Sequence, residues 1–453
     1  MIQNGIARTQ WLAAAALTGL LASCAAGPHA VKPPVTGNPP AVAPQTGPIS
    51  YKSSGHAEMD AWRADFSNRA LEAGHDRALV ESLLTGIEPI PLWLGSNLQV
   101  AATGIGDQAE FAKPIWDYLK VPLGESRISK GRESLALHAG MFADLEARYG
   151  VDRQVLVAIW GIETSYGAVI GNFDAGNVLA NMAVEGRRRA FAEKELFAVM
   201  KMVERGDAER SDLIAGWAGA MGHTQFMPSS YLAYAEDFDG DGHKDVWKNE
   251  GDALASAANY LTKSGYAMGQ PWGIEVAVPA GFDFSLADGN ERGMDTWRAV
   301  GLVQIAGGPF ETGGADFSQL WLPAGAEGPK YLLFNNFKVF KSYNNADSYA
   351  FAVGMAGNAV IGKGGPVTPW PTHLRPLSVA NIKALQAGLN GRGFSAGPVD
   401  GIPGRQTKLA LMGFQKSRGL VADGYPTKDM LALVTDGSGG SNFGVSSETE
   451  GPS

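Results

Sequence analysis

The segment from Asp152 to Gly167 is apolar nearly all the way round a helical period, and it restricts the possible folds more than any other stretch. Apolar side chains occupy every face of such a helix, so other elements must enclose it. Asp152 stands where a helix N-cap belongs, and Gly167 stands where a helix ends. The sequence therefore predicts a buried helix within a mainly helical domain.

Glu163 is the only carboxylate of this helix after its first turn, and it shares a face with Trp160 and Ile159. Burial without a nearby cation favours the neutral form of a carboxyl group. A neutral carboxylic acid is what a general acid needs to protonate a glycosidic oxygen. The alternative is a structural carboxylate that caps or bridges elements.

Composition excludes several classes of function. The chain has 37 basic and 46 acidic residues and a net charge of −9, which argues against nucleic acid as the main partner. Its one cysteine, Cys24, excludes a disulfide framework, a cysteine-based zinc site and a thiol redox pair. The longest apolar run is too short for a transmembrane helix.

The N-terminus has the pattern of a secretory signal, with Arg8, an apolar stretch over 11–21 and small residues before Cys24. The segment Leu-Ala-Ser-Cys resembles a bacterial lipobox, which implies removal of residues 1–23 and lipidation of Cys24. With Ala25 next, the resemblance implies an outer-membrane lipoprotein facing the periplasm. The alternative is an ordinary signal peptide with a chance cysteine.

Apolar spacing and Pro/Gly-rich stretches divide the rest of the chain. Strand-like segments are predicted at 274–278 and 331–334. The predicted parts are a proline-rich tether over 24–54, a main domain over 55–362, a linker over 363–376, a small three-helix module over 377–434 and a disordered tail over 435–453.

Three motifs carry a family resemblance, and they occur in the family's order. They are IWGIETSYG at 159–167, GAMGHTQFMPSSY at 219–231 and YNNADSYA at 343–350. Together they resemble the B-type membrane-bound lytic murein transglycosylases. The resemblance implies an α+β, mainly α fold with a lysozyme-like core. It also implies cleavage of the β-1,4 bond between N-acetylmuramic acid and N-acetylglucosamine, with a 1,6-anhydro end and no required cofactor.

The same resemblance implies roles for individual residues. Glu163 corresponds to the single catalytic acid, which then acts as base for the muramyl 6-hydroxyl. Gln225 matches a position that lines the glycan cleft, and Asn344 and Tyr343 match residues near the acid. One departure is Gly216, because family members often have Ser there, close to the acid.

Two further aromatic residues, Tyr166 and Tyr231, are predicted to contact sugar rings. Plain core packing is the alternative for each of them, and it is the commoner role of a tyrosine ring.

The segment 237–245 follows the spacing of a calcium-binding loop. Its predicted ligands are Asp237, Asp239, Asp241, the backbone carbonyl of His243, and Asp245. Position 12 is Lys248 in place of Glu, so the usual bidentate ligand is missing, and Glu250 or Asp252 is the nearest substitute. A structural Ca²⁺ and an Asp/Gly-rich turn without an ion both remain possible.

The C-terminal module resembles the three-helix peptidoglycan-binding domain that is appended to wall hydrolases. It has two Asp-Gly turns, at 400–401 and 423–424, and a Phe-Gln pair at 414–415. The resemblance implies that it binds the wall. The alternative is a helical domain that only packs on the enzyme.

Peptidoglycan strands are the expected partner, and two other functions stay open. A muramidase-type hydrolase would need a second carboxylate near Glu163, for which Asp174 and Glu185 are candidates. A non-catalytic wall-binding lipoprotein would keep the anchor, the tether and the module. The retained Glu163, Gln225 and Asn344 argue against that reading.

Overall fold

Helices dominate the computed structural model, which describes residues 47–91 and 113–436. The described helices are α1 (Ala57–Glu72), α2 (Arg77–Leu84), α3 (Ile115–Tyr118), α4 (Glu125–Leu137), α5 (Ala139–Tyr149), α6 (Arg153–Thr164), α7 (Ala175–Glu185), α8 (Arg189–Glu204), α9 (Pro228–Tyr234), α10 (Glu250–Lys263), α11 (Met294–Ala299), α12 (Asn335–Tyr343), α13 (Asp347–Val360), α14 (Val379–Gly391), α15 (Arg405–Ser417) and α16 (Lys428–Thr435). The strands are β1 (Phe173–Asp174), β2 (Ile214–Ala215), β3 (Gly273–Ala277), β4 (Glu291–Gly293), β5 (Val303–Gln304), β6 (Phe317–Trp321) and β7 (Tyr331–Leu333). The predicted signal, Cys24, most of the tether and most of the tail lie outside the described residues.

The mainly helical α+β fold confirms the predicted class, and no helix within the described ranges is long and apolar enough to cross a bilayer.

The packing around α1 begins before the predicted domain boundary at residue 55. Ile49 is 6% exposed and belongs to the hydrophobic cluster that α1 forms with α2, α7 and α8. The Arg63 guanidinium lies over the Tyr51 ring at 4.8 Å. The last residues of the predicted tether therefore pack on the domain.

Helix α6 is the predicted buried helix, and it packs antiparallel to α13 in the main core. It ends at Thr164, three residues before the predicted stop, because Ser165, Tyr166 and Gly167 all take the left-handed conformation, with φ values of 52°, 62° and 76°. Asp152 occupies the N-cap position without capping the helix. Its carboxylate accepts hydrogen bonds from the Tyr266 hydroxyl at 2.6 Å and from the Gly269 N–H at 3.1 Å instead.

A five-stranded antiparallel sheet follows the helical core, in the order β4-β6-β7-β3-β5. Both predicted strands are confirmed as β3 and β7, each within one residue of its predicted start. Ile274 and Val276 alternate inward along β3, as expected for a strand with one buried face. The sheet is larger than the two predicted segments, and its other strands have two to five residues each.

The segment 363–376 is fixed to the main domain. The N–H groups of Val367 and Thr368 donate to the Glu275 carboxylate at 2.7 and 2.8 Å. The ring of Trp370 lies 6.2 Å from that of Phe351, edge to face. The predicted linker is therefore an ordered strap across the domain.

The C-terminal module consists of α14, α15 and α16 around a small core of its own, and it also docks on the sheet. Met412 and Ala422 of the module belong to the same buried cluster as Trp297 and Leu320 of the sheet region. The Ala326 N–H donates to the Asp423 carboxylate at 2.9 Å across this contact. Apolar burial and hydrogen bonding thus join the module to the domain.

Candidate active site

Glu163 lies in the last turn of α6, directly before a turn of left-handed residues at 165–167. The Tyr166 hydroxyl donates to the Arg127 carbonyl at 2.8 Å, and the tyrosine side chain packs against two glycines. A Cβ added at Gly131 or Gly161 would lie 2.6 Å from that hydroxyl oxygen, so both positions need glycine. Tyr166 is 9% exposed and packs edge to face on Trp160. The turn is therefore built around a buried tyrosine.

The second motif wraps around the same helix end. The Thr164 hydroxyl donates to the His223 carbonyl at 2.7 Å and accepts from the Gly167 N–H at 3.0 Å. The Trp160 indole donates to Nδ1 of His223 at 3.0 Å. Burial lowers the pKa of His223 despite the opposing charges of nearby acidic residues, so the neutral ring accepts this hydrogen bond.

The third motif completes the site. The Tyr349 hydroxyl donates to Oε1 of Glu163 at 2.5 Å, and the Tyr343 hydroxyl donates to the Thr224 carbonyl at 2.6 Å. Burial and the charge of Glu163 hold the pKa of both tyrosines well above 10, so both hydroxyls stay protonated donors. Three segments that are distant in sequence therefore meet at the half-buried Glu163.

Gln225 lies in the loop next to Tyr343 and has a left-handed φ of 52°. Its amide nitrogen donates to the carbonyls of Gly222 and Ile170 at 2.9 and 3.3 Å. Its Oε1 faces Gly216, where an added Cβ would lie 3.0 Å away. Gly216 therefore leaves room for the Gln225 carbonyl oxygen, which is the side of the amide left to accept from a ligand N–H.

Asn344 caps the C-terminus of α12, directly after Tyr343, and is half-buried. The structure does not bring Tyr231 to Glu163. Its ring is 1% exposed and packs against Trp247, and its hydroxyl donates to the Lys244 carbonyl at 3.0 Å. Tyr166 is likewise a packing residue, as described above. The core-packing alternative thus describes the surroundings of both rings.

Tyr349 contacts Glu163 directly, and the sequence analysis did not single it out. The third motif contains it, but nothing in the spacing of that motif shows that its hydroxyl reaches Glu163. Only the antiparallel packing of α6 on α13 brings the two residues together.

The acidic loop differs in part from its prediction. Among the described residues, Asp237 and Asp239 have carboxylate oxygens within 4.8 Å of one of Asp252, which lies on α10. Asp241 accepts from the His243 N–H at 2.8 Å, and Asp245 accepts from the Lys248 N–H at 2.9 Å. The predicted ligands Asp241 and Asp245 are therefore not part of this carboxylate group, and the backbone carbonyl of His243 stays a prediction.

Asp252 is one of the two residues predicted as a substitute for the ligand missing at Lys248, and it is the one that lies in this carboxylate group. It is fully buried, and burial together with the charges of Asp239 and Asp237 raises its pKa. The Lys248 ammonium pairs with Asp212 at 3.1 Å. Three clustered carboxylates with one elevated pKa are the kind of oxygen-rich site that fits Ca²⁺.

Comparison with known families places two domains on the chain. Residues 58–358 match the family described as "Transglycosylase SLT domain". Residues 378–434 match the "Putative peptidoglycan binding domain".

Among individual proteins, "Membrane-bound lytic murein transglycosylase B" of Escherichia coli (strain K12) is 36% identical over 218 residues, which are 47% of this chain and 58% of that protein. The match thus spans somewhat more than half the length of that curated relative.

Two solved structures show how far the fold is shared. SltB3 from Pseudomonas aeruginosa in complex with NAG-NAM-pentapeptide matches with a TM-score of 0.77 and 41% identity, over 83% of this chain and 99% of that one. The E. coli lytic transglycosylase SLT35 in complex with calcium matches with a TM-score of 0.54 and 27% identity, over 66% of this chain and 92% of that one.

Proposed function

The chain belongs to the Transglycosylase SLT domain family, and on that premise we propose that it is a lytic murein transglycosylase. It cleaves the β-1,4 bond between N-acetylmuramic acid and N-acetylglucosamine and leaves 1,6-anhydromuramic acid ends. The observation that carries the proposal is the hydrogen bond from Tyr349 to Glu163, at the point where the three motifs meet. This contact holds the half-buried carboxyl group of Glu163.

The reaction uses Glu163 twice. Its carboxylic acid first gives a proton to the glycosidic oxygen as the bond to C1 breaks. The muramyl 6-hydroxyl then attacks C1 and returns its proton to the carboxylate, so no water is consumed. The N-acetyl oxygen of the same sugar assists at C1, in place of a second carboxylate.

Gln225, Asn344 and Tyr343 complete the proposed glycan cleft. The Oε1 of Gln225 accepts from an N-acetyl N–H of the glycan, since its amide nitrogen is bonded to backbone carbonyls. The Tyr343 hydroxyl supports this loop by donating a hydrogen bond to the Thr224 carbonyl. Asn344 follows Tyr343 directly in the chain, and we propose that it contacts the glycan. Tyr166 and Tyr231 are left out of the cleft because their rings are buried.

The surroundings of the other carboxylates favour this reaction over hydrolysis. Asp174 caps α7 by accepting from the Asn177 N–H at 2.7 Å, and it pairs with Arg210 at 3.2 Å. Glu185 pairs with Arg187. Both candidates for a second catalytic carboxylate thus have structural partners.

Mass spectrometry of products from purified sacculi tests the proposal. The chain from residue 25 onward is expected to release muropeptides lighter by one water than hydrolytic products, and Glu163→Gln is expected to release none. Hydrated ends would make the protein a hydrolase. If both forms bind sacculi and neither releases products, the non-catalytic wall-binding protein is correct.

We further propose that the C-terminal module binds peptidoglycan and that Cys24 anchors the chain to the outer membrane, facing the periplasm. The module's family match and the membrane-bound relative support these assignments. Metabolic labelling with a radioactive fatty acid tests the anchor. Label in the wild type and none in Cys24→Ala is the expected result, and equal labelling of both would contradict it.

We also propose a structural Ca²⁺ held by Asp237, Asp239 and Asp252, an assignment supported by the calcium complex of SLT35. Ca²⁺ is expected to raise the melting temperature of the wild type relative to EDTA and to leave that of Asp252→Asn unchanged. Asp295→Asn, which changes an exposed carboxylate elsewhere, is the matched control and is expected to keep the Ca²⁺ effect. An equal Ca²⁺ effect in Asp252→Asn would remove this residue from the site.

A further inference from the structure

His223 contacts the last turn of α6 on both sides of Glu163. Its Nδ1 accepts a hydrogen bond from the Trp160 indole at 3.0 Å, one helical turn before Glu163. Its backbone carbonyl accepts from the hydroxyl of Thr164, the residue directly after Glu163, at 2.7 Å. A Cβ added at Gly167 would lie 2.4 Å from Cε1 of the imidazole, so the ring also packs against the left-handed turn. One histidine therefore contacts the helix before and after the proposed acid.

The contact with Trp160 requires the neutral form of His223. An indole N–H can only donate, so Nδ1 of the imidazole has to carry a lone pair. His223 is 8% exposed, and its ring is also hydrogen-bonded to the Trp247 backbone. A proton on Nδ1 would set a second donor against the indole N–H and would place a charge in a buried site. Protonation of His223 therefore breaks its hydrogen bond with Trp160.

The charged groups around His223 offset the effect of its burial only in part. Burial lowers the pKa of His223, and the carboxylates of Glu250 and Asp245 raise it by a smaller amount. His138 is a second histidine beside Trp160, with ring centres 6.1 Å apart, and its Nε2 lies 3.4 Å from the Glu250 carboxylate. The imidazole of His223 is thus neutral at neutral pH and gains its proton below pH 6.5.

The other groups of the proposed site do not account for a loss of activity in acid. Glu163 starts the reaction in its protonated form, so acidification increases the fraction of the enzyme that is ready to react. Tyr343 and Tyr349 have pKa values well above 10 and also keep their protons. A decrease in activity on acidification therefore needs another titrating group, and His223 is bonded to the helix end that carries Glu163.

We infer that neutral His223 is a positioning residue for the proposed reaction and that its protonation lowers activity at acid pH. The inference rests on the proposed function for the role of Glu163. The loop of His223 also carries Thr224 and Gln225. Loss of the contact with Trp160 therefore affects the acid and the proposed glycan cleft together.

The rate of product release from purified sacculi, measured from pH 7.5 down to pH 4.5, tests the inference. Below the pKa of His223, the wild type is expected to lose activity about tenfold per pH unit, as one proton requires. His223→Asn places Oδ1 near the former position of Nδ1, so it keeps an acceptor for the Trp160 indole but cannot titrate. We expect its activity to begin falling at least about one pH unit lower than that of the wild type. We also expect it to be more active than His223→Leu, which has no acceptor.

The matched control is His138→Asn, which makes the same substitution at the second histidine beside Trp160 and is expected to keep the wild-type pH profile. Circular dichroism at each pH establishes that folded proteins are compared. Two results would overturn the inference. One is a wild-type profile that stays flat down to pH 4.5, and the other is the same acid-side decrease in the wild type and in His223→Asn.

An NMR titration of the wild type needs no turnover, and it also tests the inference if His223→Asn does not fold. The indole N–H resonance of Trp160, assigned with Trp160→Phe, is expected to shift with the midpoint of the acid-side decrease in activity. A resonance that stays constant over the same pH range would contradict the inference. A resonance that shifts in a protein that releases no product at any pH would contradict the proposed function instead.

Discussion

The Tyr349 hydroxyl makes a direct hydrogen bond to the carboxyl group of Glu163. It donates to Oε1 of Glu163 at 2.5 Å from the neighbouring helix α13. The raised pKa of Tyr349 keeps the proton on its hydroxyl at neutral pH. The family Ser that stands near the acid is replaced here by Gly216, which has no hydroxyl to offer. We therefore expect the Tyr349 hydroxyl to contribute to the positioning of the acid.

Tyr349→Phe is expected to lower kcat by about 10- to 100-fold with little change in KM. A hydrogen bond to a carboxylate is worth about 1.5–3 kcal/mol, and the phenyl ring still fills its place in the core. Steady-state kinetics on a soluble glycan measures the effect. The control is Tyr166→Phe, which removes a hydroxyl bonded to Arg127 and is expected to keep kcat. Equal losses of kcat in both variants would contradict a specific role for Tyr349.

His223 gives the fold an acid sensitivity. Its pKa is lowered from 6.5 by burial, so between pH 6.5 and that lower value the unfolded chain binds a proton that the folded chain does not. Stability is therefore complete above about pH 6.5 and falls below it. We expect the melting temperature to drop less between pH 7 and pH 5.5 in His223→Gln than in the wild type. Parallel curves for the two proteins would show that other groups cause the loss.

At the scale of the element, the loop that follows β2 fits against its neighbours through glycines. A Cβ at Gly222 would lie 2.3 Å from the Val246 carbonyl oxygen, and its φ is +69°. Gly206 has nearly the same φ, +71°, with nothing within 4 Å of an added Cβ. Alanine variants of these two glycines therefore separate the cost of a left-handed backbone from the cost of a steric clash.

Gly222→Ala is expected to be less stable than Gly206→Ala by about 1–3 kcal/mol. Both variants hold an alanine in the left-handed conformation, but only the Cβ of Gly222→Ala collides with a backbone atom. Chemical denaturation measures both variants. Gly222→Ala should also lose activity, because its loop carries the Thr224 carbonyl and Gln225. Equal free energies of unfolding would mean that the loop adjusts without cost.

The elements around the site were predictable to different degrees. The apolar periodicity of α6 and the alternation in β3 predicted both elements, because burial imposes those patterns. The end of α6 was predicted three residues late, since the left-handed Ser165 and Tyr166 are held by tertiary contacts. The pairing of Glu163 with Tyr349 joins distant segments, whereas Asp252 was one of two nearby residues that the spacing of the acidic loop had suggested. No local pattern encodes the contact between Glu163 and Tyr349.

At the scale of the whole molecule, the C-terminal module and the sheet share a buried surface. Ala422→Asp would place a carboxylate in the cluster that contains Trp297 and Leu320. We expect it to lower the free energy of unfolding by at least about 2 kcal/mol and to increase the radius of gyration in small-angle X-ray scattering. Leu433→Asp, at a residue 43% exposed on the same module, is the control. An unchanged radius for Ala422→Asp would show that the module stays docked.

The shared core also bears on how such a chain can evolve. A module held only by a loose connection can be exchanged between genes by recombination within that connection. Here an exchanged module would have to bring a small side chain at the place of Ala422 and a flexible one at the place of Met412, or leave Trp297 exposed. We expect the sheet and the module to be inherited as a pair, with substitutions on one side matched by changes on the other.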